Sequence, residues 1–395
     1  MPLSRRSFVR SLGLSGAGVV SASVIGARGR EAFAAELRAS GALGGDLTGW
    51  APGKEIRISS NENPRGPSEA SLRAIREALG SSSRYPFGPA SALRDAVAKA
   101  NGVKPENVLL GCGSTEILRM AVDAYCSPAR PLVTAAPTFE EAAQRAEIVG
   151  APVRAIPVDG ALKLDLDKMR AAAPGSGLVF VNNPNNPTGT VHPARVIEEL
   201  VRGVVRESPD SYVMIDEAYH EYADDPTYAT ALPLALELPH VVVARTFSKA
   251  YGLAGLRVGY AIGRPDTLRL MERHQLGINV NVLAAAAALG ALEDRDLVAR
   301  EQRLNREARA YTQKFFQDAG YTVAPSAANF LMVDIRRDPK GFADACRKMD
   351  VLVGRPFPPL KTHLRVSVGT MDEMKAATEA FKRVLAAPAT AAAGG

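Results

Sequence analysis

Val241-Val242-Val243-Ala244-Arg245-Thr246-Phe247-Ser248-Lys249-Ala250-Tyr251-Gly252-Leu253-Ala254-Gly255-Leu256-Arg257 begins as an apolar run and ends in a glycine-rich turn. The first residues read as a buried strand, which stops at hydroxyl residues and one lysine. A lysine at the end of a buried strand is costly, because desolvation disfavours its charge. The same desolvation leaves the amine nucleophilic and able to hold a carbonyl as a Schiff base. Thr246, Ser248 and Arg257 are the groups that hold a phosphate ester, with hydroxyl donors beside a planar guanidinium fork. A carbonyl that carries a phosphate describes pyridoxal phosphate. A solvated loop has the same composition, so the flanking chain has to decide between the two.

Upstream, Asn107-Val108-Leu109-Leu110 runs into Gly111-Cys112-Gly113-Ser114-Thr115-Glu116 and then an apolar segment to Tyr125. Strand, glycine turn, hydroxyls and helix start together point backbone N–H groups and a helix dipole at an anion. A strand at Leu178–Asn182 leads into Asn183-Pro184-Asn185-Asn186-Pro187-Thr188-Gly189, where the two prolines hold the preceding asparagines out of the helical region. Tyr212–Ile215 ends at Asp216, on the strand edge that faces ligands in open α/β sheets. A carboxylate there needs a cationic partner, either a protonated pyridine nitrogen or a structural arginine. Tyr219 follows three positions later, close enough to lie beside it.

Strands alternating with helices at this density predict an α/β fold with a mostly parallel, doubly wound sheet. Ser68 is expected to cap a helix to Leu79, and Ser91 a helix to about Ala100. Arg257–Ile262 reads as a further strand. Asn281–Phe316 has a helical period long enough to bridge two domains, and the rest reads as a smaller α+β domain. The expected division is an export signal at 1–34, a linker or N-terminal arm at 35–55, a large domain at 56–290, a small domain at 291–387 and a disordered tail at 388–395.

The chain has 395 residues, 46% apolar and 23% charged, as a globular protein should. Of its formal charge of +6, the five arginines Arg5, Arg6, Arg10, Arg28 and Arg30 against Glu31 carry +4, which leaves little basic character for the remainder. No basic patch is interleaved with aromatics, so nucleic acid is not an expected partner. Cys112, Cys126 and Cys346, and the five histidines, lack metal-ligand spacing, and an odd cysteine count does not make a disulfide framework. Ser4-Arg5-Arg6-Ser7-Phe8-Val9-Arg10, a weakly apolar run to Gly26 and Ala32-Phe33-Ala34 resemble a twin-arginine export signal, which implies a periplasmic or exported enzyme; an unused signal would leave it cytoplasmic. The apolar run is too short for a membrane anchor.

Asn186-Pro187-Thr188-Gly189, Asp216-Glu217-Ala218-Tyr219, Ser248-Lys249 with Arg257, and Leu364-Arg365-Val366-Ser367-Val368-Gly369 occur in the order found in fold-type I aminotransferases. With Asn61-Glu62-Asn63-Pro64, Arg84-Tyr85-Pro86 and Gly102-Val103-Lys104-Pro105, the chain most resembles the histidinol-phosphate aminotransferases. The resemblance covers about Ile56 to Leu385. It implies that Lys249 bears the Schiff base and moves the substrate proton, and that Asp216 keeps the pyridine nitrogen protonated. Asn186 and Tyr219 would donate to the ring oxygen, and Phe139 would stack on the ring where the family usually has tyrosine or tryptophan. Gly113, Ser114, Thr115, Thr246, Ser248 and Arg257 match phosphate-holding positions. Tyr85 matches a tyrosine that reaches the phosphate of a neighbouring subunit, which implies a homodimer with shared sites. Arg365 matches the arginine that clamps a carboxylate, Arg355 falls near a second arginine, and Asn61 and Asn329 are assigned with them to the substrate. The segment from Arg355 to Arg365 carries three prolines and is shorter than in those relatives.

The expected activity is transfer of an amino group between an amino acid, or histidinol phosphate, and a 2-oxo acid by a ping-pong mechanism. An oxidase or lyase on the same scaffold would use the same residues, and a binding protein without turnover would have no need of Lys249, Asp216 and Arg365 together. The absence of a phosphate-loop lysine-serine signature and of a dinucleotide fingerprint argues against a nucleotide-binding domain.

Overall fold

The computed structural model describes residues 55–387; the expected export signal, the linker up to residue 54 and the tail lie outside them. A seven-stranded sheet organises the fold. In chain order its strands are β2 (Val108–Gly111), β3 (Leu132–Ala136), β4 (Val153–Pro157), β5 (Leu178–Asn182), β6 (Tyr212–Asp216), β7 (Val241–Thr246) and β8 (Gly259–Gly263), and their spatial order is β2-β8-β7-β6-β5-β3-β4. The pairs from β4 to β7 are parallel, while β8 runs antiparallel to both β7 and β2.

Both faces of this sheet are buried, so its strands are continuous apolar runs rather than alternating ones. Phe180 and Met214 point into one core with Leu118, Val122 and Tyr125 of the helix Gly113–Tyr125 (α3). Their neighbours Val179, Val181, Val213 and Ile215 point to the other face. There they meet Ile197, Leu200, Val201 and Val204, one stripe of the helix Ala194–Glu207 (α6).

The C-terminal part builds a second core. Strands Thr322–Val323 (β9), Phe330–Asp334 (β10) and His363–Ser367 (β12) form an antiparallel sheet, β12-β10-β9. Val351–Val353 (β11) pairs in parallel with Ile56–Ile58 (β1), so the first described strand bonds to the C-terminal part although sequence position grouped it with the large sheet. Asp338 caps the helix Pro339–Arg347 through both carboxylate oxygens, and Thr370 with Glu373 forms a capping box on Met371–Ala386. Phe381 of that last helix is fully buried against Phe316 and Phe342, worth about 1.5–3 kcal/mol by transfer of its surface from water.

Three local expectations are corrected. The helix ending at Ala100 starts at Phe87, not after Ser91, because Pro89 falls in its first turn, where no N–H is needed. The segment Asn281–Phe316 is two helices, Val282–Glu293 and Leu297–Asp318, interrupted where Asp294 takes the Asp296 N–H at 3.3 Å. The strand after the lysine motif begins at Gly259 because Arg257 adopts φ 58°, which an extended strand cannot contain.

Candidate active site

The register of the large sheet assembles the site. Asn182 lies opposite Asp216, and Asp216 opposite Ala244, so the ends of β5, β6 and β7 lie side by side. The cleft above them, about 350 Å³, is lined by Ser114, Thr115, Phe139, Asn186, Asp216, Tyr219, Thr246, Ser248, Lys249, Arg257, Arg355 and Arg365. Asn61 lines it too.

One end of the cleft is an anion cradle. The Thr246 hydroxyl lies 2.9 Å from Ser248 Oγ and accepts from the Ser248 N–H at 3.0 Å, which turns the chain sharply after β7. Arg257 Nη1 donates to the Ala254 carbonyl at 2.8 Å and lies 3.3 Å from Ser248 Oγ, while Nη2 is 3.5 Å from Thr115 Oγ1. Gly113 has φ +73°, and a Cβ there would stand 2.3 Å from Arg257 Nη2. Gly259 lets β8 approach equally closely, since its Cβ would lie 2.4 Å from the Ser114 nitrogen. Guanidinium, hydroxyls and the first turn of α3 therefore converge at one point. A phosphate is the group that this donor set fits.

Asp216 is 2% exposed and accepts a hydrogen bond from the Ala218 N–H at 3.1 Å. Burial pushes its carboxyl up to about 7, against the opposing pull of the Ala218 N–H and of Lys249. Such a carboxylate needs a cation, and a protonated ring nitrogen supplies one; the structural arginine considered from sequence is not its partner. Arg245 binds Glu217 instead, through Nε at 3.0 Å and Nη2 at 2.8 Å.

Lys249 lies in the same cleft, its Nζ 5.6 Å from the centre of the Tyr219 ring. Burial first, and then the Arg365 charge, bring its pKa down to about 8. The Tyr219 hydroxyl accepts from Asn61 Nδ2 at 3.0 Å, and its ring meets Phe330 edge-on at 5.2 Å. Its own proton is therefore free for an acceptor in the cleft, and burial raises its pKa to about 12.

Arg365 is nearly buried. Nη1 donates to Asn186 Oδ1 at 2.6 Å, and Nη2 to the Ser59 carbonyl at 2.8 Å. Nε is buried and has no partner among the described residues. Phe357 packs against this guanidinium at 4.6 Å and against that of Arg355 at 4.3 Å. Burial lowers the Arg365 pKa to about 10. The guanidinium is held rigidly and keeps donor capacity for an anion.

Two predicted residues are placed elsewhere. Tyr85 is 74% exposed, beside Phe87, and does not line the cleft of its own chain. Asn329 is buried behind the cleft, where its Nδ2 donates to the Asn61 and Glu62 carbonyls at 3.1 and 3.3 Å; it positions that segment rather than facing the cleft. Arg355 lines the cleft and is paired with Glu140. Sequence reasoning missed Glu140, Phe357, Asn182 and Ser367. Only Asn182, a polar residue closing an apolar strand, carried a local signal; its Oδ1 accepts from the Asn186 N–H at 2.7 Å.

Residues 54–381 match the family model of the class I and II aminotransferases. The chain is 39% identical over 333 residues to the histidinol-phosphate aminotransferase of Symbiobacterium thermophilum, covering 84% of this chain and 90% of that one. It is 38% identical over 336 residues to the enzyme of the same name from Moorella thermoacetica, covering 84% and 86%. The solved histidinol-phosphate aminotransferase of Sinorhizobium meliloti in complex with pyridoxal-5'-phosphate superposes with a TM-score of 0.77 at 28% identity, over 83% of this chain and 90% of that one. The cleft has the phosphate cradle, buried carboxylate and lysine that this cofactor requires, and the chain belongs to the class I and II aminotransferases, enzymes that transfer amino groups with pyridoxal phosphate.

Proposed function

We propose that the chain transaminates histidinol phosphate, or a closely similar amine bearing an anionic group, against a 2-oxo acid, with Lys249, Asp216 and Arg365 as the residues that decide the chemistry. The observation that carries this reading is the placing of a depressed lysine, a buried unpaired carboxylate and a rigid arginine around one cleft. The relatives named histidinol-phosphate aminotransferase support the choice of amine.

Thr246, Ser248, Arg257 and the Gly113–Thr115 turn would hold the cofactor phosphate, Asp216 its ring nitrogen, Asn186 and Tyr219 its ring oxygen, and Phe139 one ring face. When bound, the cofactor supplies the electron sink for the bond broken at the amino-bearing carbon. Lys249 is suited to take and return the proton at that carbon, because burial makes its neutral form accessible near neutral pH. Asp216 keeps a positive charge on the ring nitrogen, and Arg365 orients the anionic end of the substrate. Tyr85 would complete the phosphate site of a second copy in a homodimer, which suits its exposure. The Arg5-Arg6 signal would send the enzyme across the membrane after folding.

The test is a half-reaction. Holoenzyme is mixed with histidinol phosphate and with single amino acids, and the cofactor absorbance is followed together with dissolved oxygen and ammonia. Conversion by histidinol phosphate that a 2-oxo acid reverses, with no oxygen uptake, supports the reading. Conversion only by another donor overturns the choice of substrate. Ammonia release or oxygen uptake in place of transfer overturns the reaction assigned to these residues.

A further inference from the structure

A second cavity, about 430 Å³, lies outside the cleft, and it is lined by Glu221, Tyr228, Tyr251, Tyr260, Asn101 and Arg245 among others. None of these residues lines the active-site cleft. Glu221 is 8% exposed, and its carboxylate has no side-chain hydrogen bond or ion pair among the described residues.

The nearest cation is already committed. Arg245 bonds Glu217 through Nε and Nη2, Asn101 through Nη1 at 2.9 Å and Thr230 through Nη2 at 2.7 Å. Its charge is matched by Glu217, which also accepts from Thr230 Oγ1 at 2.8 Å and from the Ala231 N–H at 2.6 Å. His220 contributes no charge: its Nδ1 pairs with the Tyr228 hydroxyl at 3.0 Å, and burial with the Arg245 charge brings its pKa down to about 4. One carboxylate thus has no side-chain partner among the described residues, only its own backbone N–H and the field of Arg245, inside a polar cavity where an unpaired charge is strongly disfavoured.

The walls say what would relieve it. Tyr228, Tyr251 and Tyr260 line the cavity, and burial first, with the Glu221 charge adding to it, raises the pKa of all three. The Glu221 carboxylate disfavours an anion. No cluster of three metal-ligating side chains occurs among the described residues. Carboxylate, phenols and aromatic faces together recognise an alkylammonium ion. We propose that this cavity is a second ligand site, distinct from the cleft, that binds a small organic ammonium ion through Glu221.

The probe is tetramethylammonium chloride, titrated calorimetrically into the holoenzyme against sodium chloride at matched ionic strength. A quaternary ammonium cannot condense with a carbonyl, so reaction in the cleft does not contribute heat. One saturable site per chain is expected, with a raised melting temperature and unchanged cofactor absorbance. Glu221→Gln should weaken binding at least tenfold. Ala229→Phe, at an exposed residue on the cavity wall, should block the site without touching the core, and so keeps the test open if the first variant does not fold. Absence of saturable binding to the wild type, or undiminished binding to the folded variants, overturns the proposal.

Discussion

Asn61 and Ser367, 306 residues apart in sequence, are joined twice: the Asn61 N–H donates to Ser367 Oγ at 2.8 Å, and Ser367 Oγ donates to Asn61 Oδ1 at 2.7 Å. The pair holds the segment after β1 against the end of β12. It also fixes Asn61 at φ 55° with its Nδ2 aimed at the Tyr219 hydroxyl. Ser367→Ala removes both bonds and leaves a buried N–H and amide oxygen unpaired, a loss of about 1–3 kcal/mol in stability. Tyr219 loses its orientation as well. The expected result is a lower melting temperature and roughly a tenfold fall in kcat/KM, equivalent to about 1.4 kcal/mol. Activity that is unchanged despite the lost stability would show that the pair only supports the fold.

Gly113→Ala tests the phosphate cradle. The added methyl would sit 2.3 Å from Arg257 Nη2 at a backbone φ of +73°. Either the guanidinium or the start of α3 must move. Pyridoxal phosphate affinity should fall about 10- to 100-fold, read as fluorescence or absorbance during reconstitution of the apoenzyme; this corresponds to about 1.4–2.7 kcal/mol. A phosphate-free analogue, pyridoxal, should lose far less. Equal losses for the two would place the phosphate elsewhere.

The sheet, the order of the motifs and the lysine, carboxylate and arginine were legible in sequence because each leaves a local signature: an apolar run ending in a polar residue, or a glycine turn before a helix. Glu140 and Ser367 were not, because what makes them part of the site is a contact across more than two hundred residues, and Phe357 was not, because a proline-rich loop gives no period from which the packing of its ring on Arg355 and Arg365 could be read. Glu140 pairs with Arg355 across 215 positions. The bonds from Asn329 to the carbonyls of Asn61 and Glu62 are likewise visible only once β10 lies behind them. Arg245 shows the converse. It stands four residues before Lys249 yet belongs to the other side of the fold, since successive strand residues face opposite ways.

Arg365 should not tolerate lysine. Its fork spans Asn186 Oδ1 and the Ser59 carbonyl and still leaves a buried N–H for an anion. An ammonium cannot make these contacts together. Arg365→Lys should raise KM for the amino donor about 10- to 100-fold, the loss of one charged hydrogen-bond pair worth roughly 1.5–3 kcal/mol. The cofactor spectrum should be unchanged. A fall in kcat at constant KM would instead indicate a role in the chemical step.

Asp216 makes a signed prediction about the apoenzyme. Its folded pKa, about 7, lies above the ordinary carboxyl value of 3.8. Between these two values the folded state binds more protons than the unfolded one, so the contribution of Asp216 is fully present below the lower value and is lost as pH rises through the upper one. Glu221, also raised to about 7, acts in the same direction. Apoenzyme stability from these two groups therefore falls from about pH 4 to about pH 7. Asp216→Asn should flatten that slope in denaturant titrations. In the holoenzyme, a cation on the ring nitrogen would favour the ionised carboxylate, so bound cofactor should itself flatten the slope in the wild type and much less in the variant. If the cofactor acts equally on both proteins, Asp216 does not face its ring nitrogen.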